Sequence, residues 1–189
     1  MKIFTSITLV VWVSLTCFSA STAPELASME KKLRRIETNG SAAHPDQAPT
    51  ILTEKELNAY IASDNVKLPE GVKSVRLSGA PGVITGTAQV DFDKVREGAH
   101  SSNPLLGIFS GVHEVVVVAH GYGKARTGHV HADSVSLDGV EVPRFVLELF
   151  VEKFLTPKNP QIGIDSQFAL PDRIDTAVVG EHELVITQK

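Results

Sequence analysis

Apolar residues are spaced in two distinct periods along this chain, and the change of period marks out its elements. Ile84, Gly86, Ala88, Val90 and Phe92 alternate with Thr85, Thr87, Gln89 and Asp91, the period-two signature of a strand with one buried and one wet face. Further strand patterns lie at Val72 to Leu77, Glu114 to Ala119, Ala125 to Leu137, Ile162 to Leu170 with a slip near Ser166, Ile174 to Val179 and Glu183 to Thr187. Gly121-Tyr-Gly-Lys124 reads as the loop of one hairpin, and Asp138-Gly139 as a two-residue turn leading to Val140-Glu-Val142. In that loop's register Val115, Val117 and Ala119 share a face with Gly128, Val130 and Ala132. Between Ala132 and Val135 the alternation slips by one, which predicts a bulge at Asp133-Ser134.

Period 3.6 takes over after Pro143. Leu147, Phe150, Val151, Phe154 and Leu155 fall on one helical stripe, and Phe145, Val146 and Leu149 widen it. A helix this apolar has to be wrapped by other elements. A second, shorter helix begins after Thr53: Thr53 and Glu56 have capping-box spacing, with Leu52 and Leu57 at the staple positions. Asp93 to Asn103 reads as a loop or irregular helix. The pattern therefore predicts an α+β fold: a curved, mostly antiparallel sheet of about seven or eight strands around one apolar helix, with a second short helix.

The first 23 residues stand apart. Lys2, an apolar run from Ile7 to Phe18 and small residues from Ser19 to Ala23 form a secretory signal peptide pattern, with an uncleaved membrane anchor as the alternative. Residues 24–50 read as an amphipathic segment followed by a flexible linker. Leu26, Met29, Leu33 and Ile36 make a helical face beside Lys31, Lys32, Arg34 and Arg35, and the stretch from Asn39 to Pro49 is polar and Gly/Pro-containing. This segment is a soluble tether or a peripheral membrane contact through Leu26–Ile36. Residues 51–189 are then a single domain. The localisation that follows is secreted or periplasmic.

Charge and chemistry narrow the function. Without Lys2, 17 basic residues face 22 acidic ones, a formal charge of −5 that argues against nucleic acid as a partner. The one cysteine, Cys17, lies in the leader, so the rest of the chain has no disulfide or thiol chemistry. Val115 to Gly123, with His120-Gly-Tyr-Gly123, resembles the oxyanion strand of α/β-hydrolases, yet no G-x-S-x-G motif follows. No carboxylate pair is spaced for acid–base work, and neither an enzyme activity nor a cofactor is predicted. His129 and His131 lie two apart on a strand, and a four-residue loop would place Glu114 opposite His131. These three are the candidate metal ligands.

Four stretches, Leu52-Thr-Glu-Lys-Glu-Leu-Asn58-Ala-Tyr, Leu68-Pro-Glu-Gly-Val72, Val135-Ser-Leu-Asp-Gly139-x-x-Val-Pro143 and Phe168-Ala-Leu-Pro171-x-x-Ile174, together with the closing Glu183 to Thr187 strand, resemble secreted bacterial LmeA-like domains. Those domains are related to the TULIP-like lipid-binding proteins, in which a curved sheet wraps a long helix beside an apolar groove. The resemblance implies an envelope protein that binds a lipid or another hydrophobic small molecule without covalent chemistry. Helix residues Phe145, Leu149, Phe150 and Phe154, opposed by Ile84, Val90, Val115, Val117 and Val130, are the expected wall of that groove. The alternative is a ligand-free structural or interaction domain of the envelope.

Overall fold

The computed structural model describes residues 23–99, 110–152 and 163–189. Residues 1–22 of the leader, residues 100–109 and the end of the apolar helix with Phe154 lie outside these residues. Four helices and nine strands are described: α1 Ala23–Ser41, β1 Thr50–Thr53, α2 Glu54–Ile61, β2 Val72–Ala80, β3 Val83–Asp91, α3 Phe92–Ala99, β4 Val112–Lys124, β5 Thr127–Leu137, β6 Val140–Glu141, α4 Arg144–Phe150, β7 Asp165–Ala169, β8 Ile174–Gly180 and β9 Glu183–Gln188. The strands form one antiparallel, unclosed sheet, so the α+β class expected from the alternation is the one observed.

The sheet forks at β4. One edge of this strand pairs with β5 along Val115–Lys124. The other edge is divided, with β3 taking Val112 to His120 and β8 taking Tyr122 and Gly123. β9 and then β1 follow β8, while β2 follows β3. The far edge of β5 is divided in the same way, by β7 at Thr127–His131 and β6 at Ser136–Leu137. Between those two partners sits the bulge that the slipped alternation predicts: Val118 pairs with Ser134 and Ala119 with Ala132, leaving Asp133 as the extra residue.

The expected hairpin loop at Gly121–Lys124 is instead strand. The chain reverses at Ala125 and Arg126, both at positive φ (49° and 64°), so the turn has two residues. Gly121 and Gly123 serve another purpose, because the sheet is too crowded there for a side chain. A Cβ on Gly123 would lie 2.8 Å from both the Cβ and the backbone nitrogen of Ala177, at the point where β8 meets β4.

The core forms against α1, which corrects the tether reading of residues 24–50. Met29 and Ile36, each 3% exposed, join Leu52, Ile174 and Ile186 in one buried cluster, with Leu33, Leu57, Tyr60, Leu170 and Leu184 packed on it. The amphipathic face of α1 is thus the face that the sheet covers. Polar links at both ends hold it there. Ser28 and Lys32 on α1 donate to Glu56 on α2, and the capping box supplies the backbone nitrogen of Thr53 to the same carboxylate. At the other end of α1, the Gln188 side chain donates to the carbonyls of Ile36 and Asp172 and accepts from Asn39. Gly40, expected in a linker, lies where any Cβ would be 2.4 Å from the Asp172 carbonyl oxygen.

Side chains of α2 also close the outer edge of β2. Asn58 donates to the Leu77 carbonyl and accepts from the Leu77 nitrogen, both at 2.7 Å, and the Glu54 carboxylate accepts from Gly79. An edge engaged in this way is a poor template for another chain's strand.

Candidate ligand-binding face

The register places every expected strand residue of the groove wall on one side of the sheet. Ile84 lies opposite Ala119, Val117 opposite Gly86, Val115 opposite Ala88, and Val130 opposite Gly121, while Val90 follows Ile84 at even spacing along β3. This inner face is continuous with the core, because Gly123 on β4 pairs with Ala177 on β8 and Ala177 pairs with Ile186 on β9. Burial changes along it. Leu52 and Ile186 at the α1 end are buried, as are Ala119, Gly121, Gly123 and Gly128 in the middle. Ile84, Val90, Val115, Val117 and Val130 all remain partly exposed.

The apolar helix begins as its pattern predicts. Asp138 and Gly139 take positive φ (49° and 79°) in the β5–β6 turn, and α4 starts at Arg144 directly after Pro143. Arg144 and Glu148 form an ion pair one turn apart, at 3.1 Å. Phe145 is 65% exposed and Leu149 41% exposed, so both present apolar surface to solvent. Phe150 ends α4. The space enclosed between α4 and the β5 bulge, beside Leu147, Val135 and Ile164, is only about 30 Å³, the scale of one water molecule. A larger recess of about 450 Å³ lies on the polar side of α1, lined by Lys31, Arg34, Arg35, Thr38, Asn39 and Asp46.

The three candidate metal ligands do not come together. With the turn at Ala125–Arg126, His131 pairs with His120 and His129 with Tyr122, while Glu114 pairs with Gln89 on β3. Glu114 is six residues along β4 from His120, about 20 Å in an extended strand. The position of the turn is the physical reason, because reversal at Ala125–Arg126 instead of Gly121–Lys124 moves the cross-strand partners of β4 by six positions, and by seven beyond the bulge. Among the described residues no three His, Cys, Asp or Glu side chains are grouped to hold a metal ion.

Four histidines instead each meet a carboxylate through Nδ1: His113 with Asp138 at 2.6 Å, His120 with Asp133 at 2.6 Å, His131 with Asp165 at 2.5 Å and His182 with Glu54 at 2.6 Å. The sequence gives no local spacing for these pairs, since the partners lie across strands or, for His182 and Glu54, 128 residues apart. The Asp138 hydrogen bond and the Ser110 carbonyl raise the pKa of His113, and the Glu54 hydrogen bond raises that of His182. Reciprocally, His182 lowers the pKa of Glu54. For Glu56, burial opposes the charge, yet the hydrogen bonds from Lys32, Ser28 and Thr53 prevail and bring its pKa to about 2.

No protein-family model, curated protein or solved structure matches this chain.

Proposed function

We propose that this chain binds a lipid or another apolar molecule on the inner face of its sheet, as a secreted or periplasmic carrier or maintenance factor of the cell envelope, with no covalent step. The observation that carries this reading is the partly exposed apolar row at Ile84, Val90, Val115, Val117 and Val130, together with exposed Phe145 and Leu149 on α4. Apolar side chains gathered on one face and left incompletely covered mark an interaction surface. The leader-like residues 1–23 and the resemblance to LmeA-like domains support the same reading. The small volume between α4 and β5 favours a second one, a ligand-free envelope interaction domain whose exposed α4 residues meet a protein partner.

Native mass spectrometry of the protein isolated from its own host, followed by solvent extraction, separates the two. Excess mass that extracts as a defined lipid, and that Val117→Asp abolishes in a folded protein, is the expected result. A clean protein mass that persists after incubation with total envelope lipids overturns it in favour of the interaction domain.

A further inference from the structure

The outer face of β4 and β5, opposite the apolar one, carries a histidine pair that the proposed function does not use. His120 and His131 are direct cross-strand partners, which places their α-carbons about 5 Å apart and both rings on the same side of the sheet. Each ring is fixed by a carboxylate on Nδ1: His120 by Asp133, the residue the bulge adds, and His131 by Asp165 on β7. A bond to a carboxylate holds the proton on Nδ1 and leaves the Nε2 lone pair to face outward. Neither Nε2 has a hydrogen-bond partner among the described residues, and the two side chains are 62% and 42% exposed.

We propose that His120 and His131 form a surface site for a divalent transition-metal ion of the imidazole-preferring class, with Cu(II) the tightest binder and Zn(II) weaker. A histidine whose other nitrogen donates to a carboxylate is the usual metal-binding arrangement, because the carboxylate fixes the tautomer and strengthens the donor nitrogen. Nitrogen ligands of this kind follow the Irving–Williams order, which puts Cu(II) first. Two protein nitrogens leave the remaining coordination positions to water. His129 shares the face but is not a ligand: its ring stacks on Tyr122, with centroids 4.8 Å apart and an interplanar angle of 17°. The roles of Asp133 and Asp165 are positioning ones, exerted through the imidazoles.

The test is calorimetric titration of tag-free protein with Cu(II) near neutral pH, with electron paramagnetic resonance on the loaded sample. One Cu(II) per chain bearing two imidazole nitrogens is expected. His120→Ala and His131→Ala should each weaken binding at least about ten-fold, Asp133→Asn and Asp165→Asn by about ten-fold, and His129→Ala not at all. Wild-type affinity in both histidine variants would overturn the site. So would a spectrum of the unsubstituted protein without a pair of imidazole nitrogens, a result that does not depend on how any variant folds.

Discussion

Lys32 on α1 reaches Glu56 on α2 at 2.6 Å, and the carboxylate that receives it is almost wholly buried. A buried carboxylate is costly unless donors surround it, and here Lys32, Ser28 and Thr53 do so. Lowering its pKa from 4.5 to about 2 corresponds to about 3 kcal/mol of folding free energy. The folded pKa is the depressed one, so this contribution is complete above pH 4.5 and disappears as the pH falls towards 2. Glu56→Gln should cost about 2–3 kcal/mol in urea unfolding near neutral pH and progressively less in acid.

Gly40 packs against the backbone of Asp172, so Gly40→Ala has to displace main chain instead of a pliable side chain. Overpacking of this kind costs about 1–3 kcal/mol, visible as a lowered thermal midpoint. At Gly86, where an added Cβ meets only the end of the Leu77 side chain at 3.6 Å, alanine should be well tolerated.

Asn58→Leu should remove both hydrogen bonds to Leu77, costing about 2 kcal/mol. The same change frees an edge strand, so the variant should also scatter more light at concentrations where the parent protein stays clear.

The His182–Glu54 pair makes its largest contribution to stability in mildly acidic solution. The raised His182 pKa gives a contribution that is full below pH 6.5 and is lost as the pH rises through the folded value. The lowered Glu54 pKa gives one that is full above pH 4.5 and is lost as the pH falls through its folded value. Their coupling, measured by a double-mutant cycle with His182→Ala and Glu54→Ala, should therefore be largest between about pH 4.5 and 6.5 and fade on either side.

What was legible in the sequence is what short segments determine by themselves. The Thr53–Glu56 cap, the Asp138-Gly139 turn and the bulge at Asp133 each depend on residues within a few positions of one another, and each is observed. Gly40, Gly121 and Gly123 misled because a glycine required by a distant neighbour looks the same in sequence as one required by a turn. Ala125 and Arg126 misled in the opposite sense, since neither residue favours positive φ and the strands on either side impose it. The five strand positions of the inner face were legible from alternation, whereas the histidine–carboxylate pairs depend on that two-residue turn and on contacts between remote segments.

A cluster that joins Met29 and Ile36 to Ile174 and Ile186 cannot assemble in the order in which the ribosome delivers the chain. Helix α1 emerges early and has no sheet to cover it until β8 and β9 follow, well over a hundred residues later. Until then the cluster has only its early members, Leu52 on β1 with Leu57 and Tyr60 on α2, and lacks Ile174 and Ile186. Cutting the chain before β9 should therefore leave it without a native core instead of merely shortening the sheet.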